Sequence, residues 1–282
     1  MLQFAHARLD HELMQPKDFI LDVYGAFARN IGGWVAIGDL ISLLSYLEIE
    51  EQAVRSSASR MKRNDLLMAE RIDGAAGYSL TKTAQEILQD GDRRIFRDIE
   101  DDFASSWIVA LFSVPESERQ DRYLVRSRLA RLGFGQGPAS SWFAPASIQT
   151  DTERMLRRTG LDAYVTLWRG DYIGFGNIRD LVEQAWDLEE IQERYQEYLD
   201  AFEPIEKKWA SDTFDDRTAF IDYARNLTVW RPLPYLDPGL SSAVTSDAWP
   251  GTDARRLFLR LEALLRPQAN RFFLSVAGVP SR

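Results

Sequence analysis

The sequence predicts an α+β protein of several domains, and three observations carry that expectation. Residues 16–81 read as a helix, a short strand, two more helices and a two-stranded hairpin. Residues 106–170 alternate strands with helices, and from Asn177 onward apolar residues recur at helical spacing. At 282 residues the chain is long enough for two or three compact domains, each with its own core.

Pro16 suits the first turn of a helix through FILDVYGAFARN, in which Phe19, Ile20, Val23, Phe27 and Ala28 keep a helical period until Gly32-Gly33 end it. Trp34 and Val35 follow as a short strand, and Gly38–Tyr46 as a short apolar helix. The next helix begins near Glu50, with two acids in its first turn, where the helix dipole favours them. At about 100° per residue, Ala53, Val54, Ser57, Ala58 and Met61 share one side of it. Gln52, Arg55, Ser56, Ser59, Lys62 and Arg63 share the other, with Arg60 at the boundary. Leu66–Ile72 and Gly77–Thr81 are then two strands about the turn Asp73-Gly74.

That succession is the one in which a winged helix-turn-helix puts a helix into a DNA groove. One side of the helix beginning near Glu50 is small and apolar enough to pack on a neighbour. The other carries donors suited to base edges and phosphates. With Arg71 on the hairpin, the expected DNA-binding residues are Gln52, Arg55, Ser56, Ser59, Arg60, Lys62, Arg63 and Arg71.

A net charge of −9 and a pI near 4.9 weigh against long-range attraction to nucleic acid. The charge is unevenly spread, however. Pro16 to Arg97 holds 11 basic and 12 acidic side chains, and Arg55 to Arg63 holds four basic residues and no acid. Local charge decides groove binding, and the acidic excess downstream discourages nonspecific sticking.

Glu86–Asp101 is expected as a connecting helix whose Arg93, Arg94 and Arg97 are placed to touch phosphates. Ser106–Val114 then reads as a buried strand, ERQDRYLVRSRLARLGF as a helix ending at Gly133, and SSWFAPASI as a second strand. TDTERMLRRTG is a second helix and AYVTLWRG another strand, an alternation that suggests a ferredoxin-like domain. Trp107, Trp142 and Trp168 are expected in its core. Beyond it, Leu181, Val182, Ala185, Leu188, Ile191, Tyr195, Tyr198, Leu199 and Phe202 mark a mainly helical domain. RPLPYLDPGL interrupts that domain before a final helix, Thr252–Leu265. The expected domains are 16–98, 104–175 and 176–282.

Catalytic and metal chemistry find little to build on. The absence of cysteine excludes disulfides and thiolate-held zinc, and His6 and His11 have no further histidine to complete a shell. Ser105-Ser106 and Ser140-Ser141 have no histidine nearby for a hydrolase triad. GFGQG follows a helix rather than a strand, so it reads as a helix stop and turn, not a nucleotide loop. No run approaches the roughly 20 apolar residues that span a bilayer, and Arg8, Asp10, His11 and Glu12 break the opening segment as a secretory signal. A cytoplasmic protein that is not an enzyme, with no cofactor or metal, is expected.

Taken in order, FILDVYG, EEQAVRSSASRMKRNDLL, RSRLARLGFGQGPASSWFAP, DLVEQAWDLEEI, DPGL and WPGTDARRLF make the chain resemble the PaaX family of bacterial transcriptional regulators, from about Pro16 to Phe273. The resemblance implies a homodimeric repressor whose N-terminal winged helix binds a palindromic double-stranded operator. It implies a middle domain similar to the ferredoxin-like CRISPR-associated endonucleases, and a C-terminal regulatory module. It also implies release from DNA by an aryl- or acyl-CoA such as phenylacetyl-CoA, hence control of a catabolic operon. For that effector, Trp230, Arg231 and Trp249 offer an aromatic and arginine group suited to an aryl ring and a CoA phosphate, or equally to domain packing.

Departures from the family pattern are visible. Many members have an Arg-rich wing, where this chain has IDGAAG with Asp73, and Ser241-Ser242 stand where prolines are usual. The similar nucleases hold a divalent metal on an aspartate after the first strand of this domain. Here that place is Ser113, a poor lone ligand, which weighs against the alternative of a metal-dependent nuclease.

Overall fold

The computed structural model describes residues 15–96, 106–212, 214–237, 239–240, 245 and 249–278. His6, His11, Arg97, Ser105 and Ser241-Ser242 lie outside the described residues. Contacts divide the chain into two compact units: Met1–Ile95 with Glu197–Arg231 and Ala254–Arg282, and Phe96–Gln196 with Pro232–Asp253. The last third of the sequence is thus shared between the units rather than forming a body of its own.

The first unit opens with α1 (Pro16–Ala26), whose C-terminal half is buried all round rather than on one face. Gly32 and Gly33, both at positive φ, turn the chain into β1 (Trp34–Ala36). Helices α2 (Ile37–Ser45) and α3 (Glu51–Arg63) follow, then β2 (Leu67–Ile72) and β3 (Ala75–Leu80). The strands form an antiparallel sheet in the order β1-β3-β2, with Trp34 opposite Ser79 and Met68 opposite the same residue. Asp73 and Gly74 close the hairpin with φ of 51° and 80°, the double positive φ that a two-residue I′ turn requires.

After the hairpin, α4 runs Lys82–Ile95, four residues earlier than the sequence suggested. Thr81 explains the start, because its Oγ1 accepts a hydrogen bond from the Ala84 amide at 3.1 Å. Arg94 on α4 is buried, so it does not face phosphates as expected.

The second unit holds β4 (Trp107–Phe112), α5 (Arg119–Arg131), β5 (Gly135–Gln136), β6 (Trp142–Pro145), α6 (Gln149–Thr159) and β7 (Val165–Gly170). This is a βαββαβ chain with sheet order β5-β6-β4-β7, all neighbours antiparallel, as a ferredoxin-like domain requires. Ile108, Ala110, Trp142 and Ala144 on one sheet face pack with Val125 and Leu129 of α5 and Met155 and Leu156 of α6. β5 escaped sequence reasoning because two residues are too few to show a period. Trp168 was expected in the core but is 63% exposed. It lies on the edge strand β7 and points to the sheet face that the helices leave open.

Helices α7 (Ile178–Ala185), α8 (Leu188–Ser211), α9 (Asp216–Trp230), the single turn α10 (Leu233–Leu236) and α11 (Gly251–Ala277) complete the chain. The final helix outlasts its expected end at Leu265 and runs through Pro267. Proline removes one backbone donor, but Leu261, Leu265, Ala269 and Phe273, four apart and fully buried, carry the helix on. No described helix is long and apolar enough to cross a membrane.

Candidate nucleic-acid interface

Helix α3 divides by side as its spacing demands. Val54, Ser57, Ala58 and Met61 are buried, in packing against α1 and α2. Gln52, Arg55, Ser56, Ser59, Arg60, Lys62 and Arg63 are all exposed, and Arg60, placed at the boundary by spacing alone, falls on the exposed side. Arg60, Lys62 and Arg63 occupy the last turn, where cations complement the helix dipole, and none has an ion partner among the described residues.

Arg55 donates from Nε to Glu51 Oε1 at 2.8 Å, one helical turn away. Both members are more than half exposed. An exposed i,i+4 pair of this kind contributes only about 0.3–0.5 kcal/mol, so a base edge or phosphate readily replaces the carboxylate. Arg71, exposed on β2, donates from a terminal nitrogen to the Gly74 carbonyl at 3.2 Å. The structure therefore brings seven of the expected residues onto one helical surface and places the eighth on the hairpin.

The hairpin is held by close backbone approach. At Gly77 an added Cβ would lie 2.4 Å from the Val35 carbonyl oxygen and 2.6 Å from the Trp34 ring, so only glycine lets β3 lie against β1 there. The Tyr24 hydroxyl donates to the Tyr78 carbonyl at 2.8 Å, tying the same strand to α1. Ser79 Oγ donates to Glu70 Oε2 at 2.6 Å across the β2–β3 pair, which engages an acid that would otherwise oppose phosphate.

Behind the exposed helix, the opposite side of α1 is fastened to the C-terminal helices of the same unit. Phe27 meets Phe220, Tyr223 and Phe273, with ring centroids 5.2–5.7 Å apart. Thr228 donates to Asp22 Oδ2 at 2.6 Å, and Arg231 reaches Asp18 at 2.7 Å and Asp22 at 3.3 Å. Burial pushes the Asp22 carboxyl up to about 6, against the opposing pull of Arg231 and the Thr228 hydrogen bond. Sequence reasoning missed this anchor; its one signal is a pair of aspartates within a helix otherwise read as apolar.

The expected effector group does not assemble. Trp230 is fully buried, stacked on Phe258 at 4.8 Å, and its indole N–H donates to the Ile95 carbonyl at 3.0 Å. Arg231 is engaged with the two aspartates of α1. Trp249 belongs to the other unit, beside Tyr195, where it lines a cleft of about 720 Å³ with Arg179, Trp186 and Asp187. In that unit Ser113 follows β4 fully in solvent, and among the described residues no three His, Asp or Glu side chains gather to hold a metal.

Comparison with known proteins gives three family matches in chain order. They are PaaX-like protein over residues 15–84, the PaaX protein central Cas2-like domain over 100–182, and the PaaX-like protein C-terminal domain over 186–275. The chain is 24% identical over 261 residues to the transcriptional repressor PaaX of Escherichia coli (strain K12), covering 90% of this chain and 81% of that one. Among solved structures it is similar in fold to the uncharacterized protein Rv0674 from Mycobacterium tuberculosis. That match has a TM-score of 0.54 and 18% identity, and covers 91% of this chain and 98% of the other.

Proposed function

The chain belongs to the PaaX family, and from that premise we propose that it is a transcriptional repressor that binds DNA sequence-specifically through α3. The observation that carries the proposal is the exposed face of α3. Seven polar or basic side chains stand there side by side on a helix whose other side is fully packed. In this reading α1, α2, α3 and the β2–β3 hairpin act as a winged helix-turn-helix. α3 enters the major groove, and Arg71 on the hairpin reaches the flanking backbone. Gln52, Arg55, Ser56 and Ser59 read base edges, while Arg60, Lys62 and Arg63 hold phosphates.

The proposal extends to two partners. A homodimer on a palindromic operator matches the two-fold symmetry of a protein that offers one reading helix per chain. An aryl- or acyl-CoA, with phenylacetyl-CoA the first to try, acts as inducer of a catabolic operon. Such a ligand releases DNA if it prefers a conformer in which the two reading helices are wrongly spaced, and about 1–3 kcal/mol of coupling suffices. The nuclease alternative gains no support, because Ser113 brings no carboxylate to the place where one is needed.

Fluorescence anisotropy of labelled DNA from around its own gene, titrated with protein at fixed salt, tests this reading. Tight binding that scrambled DNA does not compete away, reversed by one thioester, is the expected outcome. Selective binding that no thioester reverses would remove the effector and keep the repressor. Equal affinity for scrambled DNA would remove the sequence-specific reader itself.

A further inference from the structure

The second unit leaves one apolar surface open to solvent, and we propose that a second copy of this chain docks on it. The inference rests on the dimeric reading above and supplies its surface. Helices α5 and α6 cover one face of the four-stranded sheet. On the other face, the register sets Val109 opposite Trp168 and Leu111 opposite Thr166. Trp186 covers the β6 side, against Phe143 at 5.0 Å and Trp107 at 6.4 Å. The β7 side stays open, with Trp168 63% and Leu111 45% exposed.

Beyond β7 the chain turns along this face. Tyr172, Ile173 and Gly174 border a cleft of about 450 Å³ together with Val109, Phe143 and Trp168. Ile173 is 92% exposed and Phe175 fully so. Single exposed apolar residues are ordinary, but Leu111, Trp168, Tyr172, Ile173 and Phe175 form a run along one sheet edge. With large aromatic side chains covering about 150–250 Å² each, these five offer on the order of 600–800 Å². A stable protein–protein contact needs about 800 Å² per partner.

A second copy fits this surface better than any other occupant because the surface complements itself. β7 is the long free edge of the sheet, with one row of backbone donors and acceptors unpaired. Arg169 and Asp171 flank Gly170, and neither has an ion partner among the described residues; Arg169 Nε donates only to Ser106 Oγ, at 3.2 Å. A two-fold axis near Gly170, with the edges antiparallel, sets Arg169 of each copy across from the partner's Asp171. Each protomer then supplies one charge of both signs, as an isologous contact requires.

The test combines light scattering after size exclusion with cysteine cross-linking of the full chain. Wild type is expected to be dimeric at micromolar concentration, and Arg169→Asp to weaken the dimer at least 100-fold. The double reversal Arg169→Asp with Asp171→Arg restores it, which a merely structural role for Arg169 would not do. The chain has no native cysteine, and an added Cβ meets nothing within 4 Å at Gly170 or at Gly38 on α2. Oxidised Gly170→Cys is expected to run as a disulfide-linked dimer, and Gly38→Cys as a monomer. A wild-type dimer that Arg169→Asp leaves intact and Gly170→Cys does not cross-link overturns this surface while the dimeric reading stands. So does a double reversal that stays monomeric, and a cleft that takes only a small aromatic ligand while the dimer forms elsewhere. Monomeric wild type overturns both.

Discussion

Replacing Asp22 by asparagine probes how the helices around α3 are anchored. The Asp22 carboxyl sits buried where α1 meets α9, hydrogen-bonded by Thr228 and Arg231. Burial raises it from an ordinary 3.8 to about 6. Its folded value lies above its unfolded one, so the folded chain holds more protons between those two pH values. Stability from this group is therefore greatest at acid pH and is lost as pH rises through the window. A shift of about two units corresponds to about 3 kcal/mol in full, of which about 1.4 kcal/mol falls between pH 5 and pH 7.5. Urea unfolding of wild type and Asp22→Asn at those two pH values isolates the effect, since every other titrating group cancels in the double difference. Wild type is expected to lose about 1.4 kcal/mol more than the variant on going from pH 5 to pH 7.5. Parallel losses, or a larger loss in the variant, would mean that Arg231 rather than burial sets the carboxyl, and the anchor would be an ordinary ion pair.

Arg55→Ala is expected to weaken binding to the selected DNA by about 1–3 kcal/mol in anisotropy titrations, with little change on random DNA; an equal loss on both would make it a phosphate contact. Lys62→Ala is expected to weaken binding uniformly and to reduce the salt slope by about one, read from affinities over a salt series. Gly77→Ala drives a Cβ into the Val35 carbonyl and is expected to cost about 1–3 kcal/mol in urea unfolding. Trp230→Ala is expected to cost about 3–5 kcal/mol in the same assay. A Trp230→Ala protein as stable as wild type but unresponsive to acyl-CoA would return Trp230 to the ligand site.

The reading helix was legible because its information is local. Val54, Ser57, Ala58 and Met61 recur at three- and four-residue intervals, and Asp73-Gly74 names its own turn. The βαββαβ order was legible for the same reason, apart from the two-residue β5. What the sequence concealed depends on partners far along the chain. Trp230 and Trp168 are alike in composition and local pattern, yet one packs on Phe258 and the other stands in solvent. The difference lies in which strand becomes the sheet edge and which helix meets α9, and neither is encoded within a dozen residues. Arg94 misled in the same way, since its charge suggested exposure while its helix buries it.

Selection of bound fragments from a random DNA library, followed by sequencing, tests most directly whether α3 reads sequence. The expected result is an inverted repeat with half-sites about one helical turn, or a multiple of it, apart. Retention is expected to be lost when Gln52, Arg55, Ser56 and Ser59 are all alanine. A library that emerges without any enriched motif, or a motif that survives the four substitutions, would contradict the assignment of base reading to this helix.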